Sequence, residues 1–167
     1  SIGVGMALAA RMQKRSSRVF VVMGDGEINE GSVWEAAMSA SKHRLSNLTA
    51  IIDYNKIQSA GPTAEIQDLE PLLDKWRAFG FAEAEVDGHD VAALADTFSR
   101  VRKMKGPILV HALTQKGKGF SRAENDPYTW HASGPFDKTT GSGIKKPGGL
   151  PRYQKVFGKG LIQLAET

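Results

Sequence analysis

A chain of 167 residues with 41% hydrophobic content can bury one sizeable core, and with no cysteine it forms neither disulfides nor thiolate metal sites. Its formal charge of +4, from 22 Lys and Arg against 18 Asp and Glu, is too mild for a nucleic-acid footprint. No apolar run approaches the ~20 residues that span a bilayer and no signal segment opens the sequence, so the expectation is a cytoplasmic protein with neither membrane nor nucleic acid as partner.

Ser1 is not Met, and Ile2, Met6, Ala9, Ala10 and Gln13 mark one side of a helix already under way, so the chain is expected to begin inside a domain. The apolar run 19–23 reads as a strand buried on both faces, ending at Gly24-Asp25-Gly26. A helix is expected over 32–43, with Val33, Trp34, Ala37, Met38 and Ser41 on its packed side, and a second buried strand over 48–52. In a parallel sheet the carboxyl ends of the two strands lie side by side, so Asp25 and Asn55 can converge on one point. Glycines there let the backbone approach a phosphate, helix-start N–H groups face it, and Asp and Asn oxygens are hard ligands for Mg²⁺.

Next come a polar segment over 57–70 with a turn at Gly61-Pro62, and a helix that packs Leu69, Leu72, Leu73, Trp76 and Phe79 before Gly80. A strand over 81–86, an Asp87-Gly88-His89-Asp90 turn with Asp90 as N-cap, a helix carrying Val91, Leu94, Ala95, Phe98 and Val101, and a buried strand over 108–113 follow. Alternation of buried strands with helices predicts an α/β fold, a doubly wound, mostly parallel sheet with helices on both faces. His111 reads as a hydrogen-bonded core histidine, His89 as turn structure and His43 as a helix-terminal residue. Lys116-Gly117-Lys118-Gly119-Phe120 follows a strand end, where open sheets place ligands, and opens a non-periodic region too long to be an idle connection. Between Lys138 and Lys159 lie six Lys or Arg and no acid, interspersed with Gly and Pro and read as a solvated linker. Tyr153, Val156, Phe157, Gly160, Leu161 and Leu164 form a last amphipathic helix.

The stretch Gly24-Asp25-Gly26-Glu27-Ile28-Asn29-Glu30-Gly31, with Asp53-Tyr54-Asn55-Lys56-Ile57, resembles the signature of thiamine diphosphate enzymes of the transketolase group. From Gly106-Pro107 through Lys116–Phe120 to Trp130-His131-Ala132 and Phe136-Asp137 the wording is closer to 1-deoxy-D-xylulose-5-phosphate synthases. The resemblance implies that Asp25, Asn55 and the Ile57 carbonyl bind Mg²⁺, that Gly24, Gly26 and Glu27 face the diphosphate, that Phe120 is a cofactor-contacting aromatic, and that His131 is catalytic. It further implies residues 1–137 as an incomplete diphosphate-binding domain, 138–151 as a linker and 152–167 as the first helix of a pyrimidine-binding domain. The expected activity is two-carbon transfer to an aldose phosphate, preferably with pyruvate, a 2-keto acid, as donor. The alternatives are a ketose phosphate donor, or a cofactor-binding module without activity. The full-length protein is expected to be a homodimer, and the isolated piece inactive.

Overall fold

The computed structural model describes residues 1–144 and 149–166. The chain divides into two units, Ser1–Ala132 and the part from Ser133 onward. The first unit contains, in order, α1 (Ile2–Met12), β1 (Val19–Gly24), a 3₁₀ turn (Gly26–Asn29), α2 (Gly31–Lys42), β2 (Leu48–Tyr54), β3 (Ile57–Gln58), β4 (Gly61–Pro62), α3 (Thr63–Ile66), α4 (Leu72–Ala78), β5 (Ala82–Asp87), α5 (Val91–Val101), β6 (Ile108–Leu113) and α6 (Ser121–Asn125).

The long strands form one all-parallel sheet in the order β1-β2-β6-β5, as the alternation of apolar runs with helices predicts. α1, α2 and α4 contribute Ala7, Ala37, Ala40, Leu72 and Trp76 to the core on one face, around Met23, Ile52 and Leu109. On the other face α5 brings Val101, Leu94 and Phe98 against Val86, Ile108 and Val110. Asp90 caps α5 as expected, its Oδ1 accepting from the Ala93 N–H at 2.9 Å. The connection β1-α2-β2 steps one way across the sheet and β5-α5-β6 steps back, so a crevice lies beyond the carboxyl ends of β2 and β6.

Several expectations are corrected. β1 is buried on one face only: Val19 and Met23 pack inward, whereas Phe20 is 46% and Val22 68% exposed. β1 lies at the sheet edge, where the α5 layer reaches Phe20 only through an edge-on contact with Phe98 at 6.2 Å. The packed side of α1 consists of the buried Gly3, Ala7 and Ala10 with the partly buried Val4 and Leu8, so of the expected residues Ala10 packs inward while Ile2 and Met6 point outward, as does Met12. The helix lies so close to the sheet that a Cβ on Gly3 would meet Val21 Cγ2 at 2.3 Å, so small residues set the closest approach, with Val4 and Leu8 packing beside them. In α2, Met38 is exposed and Ala40 is buried in its place. Leu69 is buried ahead of α4 rather than within it, and Gly61-Pro62 forms a strand of a small antiparallel hairpin with Ile57-Gln58. His111 is the expected core histidine, its Nδ1 3.0 Å from Glu85 Oε2 and its ring on Tyr54.

In the second unit, an antiparallel bridge joins Phe136 and Gly143, and the Asp137 carboxylate accepts the N–H groups of Thr139 and Thr140. These bonds hold the Asp137 carboxyl below its ordinary range. The last helix forms as expected, α7 (Tyr153–Ala165), with Phe157, Leu161 and Leu164 exposed. The predicted linker over 138–151 includes residues 145–148, which lie outside the described residues. Among the described residues no helix is long and apolar enough to cross a membrane.

Candidate functional site

β1 ends at Gly24, and the chain turns directly into the 3₁₀ turn, which is anchored by the fully buried Ile28. Apolar periodicity does not reveal this turn; it separates Asp25 from the start of α2 and seats the residue at its N-cap. Asp25 is 1% exposed. Its Oδ1 accepts from the Gly26 N–H at 2.7 Å and its Oδ2 from the Lys56 N–H at 2.5 Å, so one carboxylate joins the ends of β1 and β2. Lys56 presents that N–H from a left-handed conformation, φ +65°, which costs a residue with a Cβ about 1–2 kcal/mol. Gly26 is required for packing: a Cβ there would sit 2.6 Å from Gln58 Cβ, in the hairpin that closes the site.

Asn55 sits one residue beyond β2. Its Nδ2 donates to Asp53 Oδ2 at 3.4 Å, and its Oδ1 accepts from the Ile57 N–H at 3.1 Å. The other Asp53 oxygen accepts from the Thr114 hydroxyl just past β6, so Asp53 fixes which way the Asn55 amide faces. Burial raises the Asp25 carboxyl above its ordinary range and the nearby Asp53 charge adds to this, against the N–H donors of Gly26 and Lys56. Among the described residues no Lys or Arg forms an ion pair with either acid, and no three His, Cys, Asp or Glu side chains gather into a metal cage. The available donors are therefore one carboxylate, one amide oxygen and main-chain carbonyls. That set suits a hard, oxygen-loving cation whose remaining ligands come from phosphate and water.

A cleft of ≈ 500 Å³ opens over these groups. Gly24, Asp25, Gly26, Glu27, Asn55, Ile57 and His131 all line it, so the structure brings together every residue singled out from the sequence except Phe120. Phe120 packs edge-on against Trp130 at 5.1 Å and lines a neighbouring cavity of ≈ 540 Å³, which shares Asp53, Asn55 and Lys116 with the first. The Gly26 N–H is already engaged by Asp25, and Glu27 Oε2 accepts from the Gly24 N–H at 3.3 Å. Lys116 and Gln58 line the cleft without having been assigned roles from the sequence, and Lys116 is its one cationic side chain among the described residues. His89, expected as turn structure, also accepts the Gln115 N–H on Nε2 at 2.8 Å and so tethers the loop that carries Lys116.

The family described as "Transketolase, thiamine diphosphate binding domain" matches residues 6–140. An apulose-4-phosphate transketolase subunit from Phocaeicola vulgatus is 44% identical over 132 residues, covering 78% of this chain and 47% of that protein. The 1-deoxy-D-xylulose-5-phosphate synthase of Erwinia tasmaniensis is 31% identical over 207 positions, covering 99% of this chain and 33% of its own length. The chain thus spans less than half of either relative. Among solved structures, transketolase from Campylobacter jejuni superposes with a TM-score of 0.71 at 27% identity, over 74% of this chain and 21% of that one. With the match running through both strand ends and the His131 loop, the chain belongs to the transketolase family of thiamine diphosphate-binding domains.

Proposed function

We propose that the full-length protein holds thiamine diphosphate through Mg²⁺ and transfers a two-carbon unit from a ketose phosphate to an aldose phosphate. The observation that carries this reading is Asp25: a buried carboxylate without a cationic partner among the described residues, held by two N–H donors beside a correctly oriented Asn55 amide. Asp25 Oδ, Asn55 Oδ1 and the Ile57 carbonyl bind the metal. The Glu27 amide and the Lys116 ammonium face the diphosphate, the Gly26 N–H is shared between it and Asp25, and Gly24 leaves open space above the strand end. Phe120 bounds the cofactor's ring end. His131 donates to the donor carbonyl oxygen and carries a proton there as charge develops. The cofactor, when bound, supplies a carbon nucleophile and an electron sink.

The ketose donor is favoured by the 44% match to a transketolase component over a nearly gap-free alignment. The synthase reading, with pyruvate as donor and glyceraldehyde 3-phosphate as acceptor, is supported by a match that extends over 99% of the chain. Against it, 207 aligned positions for a chain of 167 mean that the synthase carries segments this chain lacks. A homodimer remains the proposed assembly, beside pairing with a separate polypeptide, which the word "subunit" in the Phocaeicola relative's name suggests.

The test uses the full-length protein with thiamine diphosphate and Mg²⁺. Turnover of xylulose 5-phosphate with ribose 5-phosphate, lost in Asp25→Ala, supports the proposal. Carbon dioxide release from pyruvate with glyceraldehyde 3-phosphate assigns the synthase instead. No turnover together with no metal-dependent cofactor binding overturns the reading of Asp25 and Asn55.

A further inference from the structure

The two ends of the sheet differ in charge. The carboxyl end mixes Asp25, Asp53, Asp87 and Asp90 with Lys56, Lys116 and Lys118, whereas the loops entering β1, β2 and β6, residues 13–18, 43–47 and 102–107, contain Lys and Arg and no acid. At this amino end Arg11, Arg15, Arg18 and Arg44, with Ser46 and Asn47, line a cleft of ≈ 240 Å³. None of the four arginines forms an ion pair among the described residues. Two are fixed by the backbone: Arg11 Nη1 donates to the His43 carbonyl, and Arg18 Nη2 to the Ser46 carbonyl at 3.3 Å. Arg18 Nε is out of solvent without a hydrogen-bond partner, an arrangement that is costly to fold. The Ser46 hydroxyl accepts the Gly106 N–H at 3.0 Å, tying the third basic loop to the cleft.

We propose that this cleft is a second anion site, which takes a small phosphorylated ligand at the opposite end of the sheet from Asp25. Guanidinium forks match phosphate oxygens two at a time, and the Ser46 hydroxyl, which accepts from Gly106, keeps its own proton to donate, whereas Asn47 Nδ2 is committed to the Ala7 and Ser17 carbonyls and fixes the wall of the cleft. The lining contains no aromatic side chain on which a base would stack, which favours a compact phosphate over a nucleic-acid strand. Nothing in the cleft is apolar enough to hold a large organic body, so the phosphate group itself is the recognised element.

The experiment titrates inorganic phosphate into the full-length protein at fixed ionic strength, by calorimetry, with EDTA present so that the Asp25 site lacks its metal. Saturable binding is expected, weakened about tenfold in Arg15→Gln/Arg44→Gln, since tenfold corresponds to about 1.4 kcal/mol of lost charge-assisted contact. The Arg15→Lys/Arg44→Lys protein keeps the charge and should fall between the two. Asp25→Asn should bind phosphate as the wild type does. Binding unchanged in the Gln pair, or lost in Asp25→Asn, overturns the proposal. So does a single-stranded RNA oligonucleotide that binds more tightly than phosphate with the same arginine dependence, which would reassign the surface to nucleic acid.

Discussion

Replacing Asp25 separates what this side chain does for the fold from what it does for a ligand. In Asp25→Ala the N–H groups of Gly26 and Lys56 both lose their acceptor, at about 1–3 kcal/mol for each buried group left unpaired. Against this, removing a buried charge that sits beside Asp53 relieves desolvation and repulsion. The alanine variant should therefore be less stable by roughly 2 kcal/mol without ligand, within the span of those two opposing effects. Asp25→Asn keeps one good acceptor, sheds the charge and should stay within about 1 kcal/mol of wild type. With Mg²⁺ and thiamine diphosphate at about 100 times the dissociation constant, the wild type gains about 2.7 kcal/mol by mass action and neither variant gains anything. Thermal unfolding of the full-length protein with and without the pair reads both quantities. A ligand-induced rise in Asp25→Asn equal to that of the wild type would refute the reasoning, because the buried carboxylate would then not be the metal's anchor. The pH dependence supplies a second check. The Asp25 pKa is raised in the fold, so its contribution to ligand-free stability is full below the ordinary value of 3.8 and is lost as pH rises through the folded pKa. Metal competes with that proton, so cofactor-dependent stabilisation should grow across the same interval, and this growth should be absent in Asp25→Asn.

Glu70 behaves in the opposite sense. The Tyr54 hydroxyl donates to it at 2.5 Å and the Leu72 N–H at 2.8 Å, which lowers its pKa below the ordinary 4.5, so its contribution is present above that value and lost as pH falls through the folded pKa. Tyr54→Phe should weaken this acid-limb dependence and cost about 1–2 kcal/mol, as read by denaturant titration at neutral and acid pH. Gly3→Ala forces a methyl group into Val21 and should destabilise by about 1–3 kcal/mol, with the largest increase in hydrogen exchange in α1 and β1. Asp90→Ala removes the cap on the Ala93 N–H and should cost about 1 kcal/mol, recovered in Asp90→Ser. His131→Ala should lower turnover while leaving metal-dependent cofactor binding intact; loss of binding would place His131 in cofactor retention instead.

β1, β2 and β6 were legible because their apolar runs, the first two ending at Gly, Asp and Asn, can do little else, and once the sheet is parallel the Asp25–Asn55 convergence follows from register. The helix faces were less legible. Hydropathy weights size, so it chose Ile2 and Met6 in α1, whereas the contact with the sheet is set by how closely a backbone can approach, which Gly3, Ala7 and Ala10 decide. The 3₁₀ turn is too short to have a period, and its anchor is the single residue Ile28. Gln58 carries no local signal, since it matters through Asn29, 29 positions away; Asp53 and Lys116 stand in stretches that the sequence singled out, but the Thr114 bond of the one, 61 positions on, and the place of the other in the Asp25 cleft are not written locally. Lys56 was equally silent, because nothing in a lysine side chain announces that its backbone must be left-handed.

The open face of β1 bears on how the chain behaves in the test tube. Phe20 and Val22 on the edge strand, and Ile2, Met6 and Met12 along the outer side of α1, place two greasy strips on the surface of the first unit. These strips, with the exposed apolar residues of α7, are expected to drive self-association of this polypeptide when prepared by itself. Val22→Thr on the edge strand, which keeps β-branched character while adding a hydroxyl, should raise the concentration at which light scattering first appears without moving the unfolding midpoint.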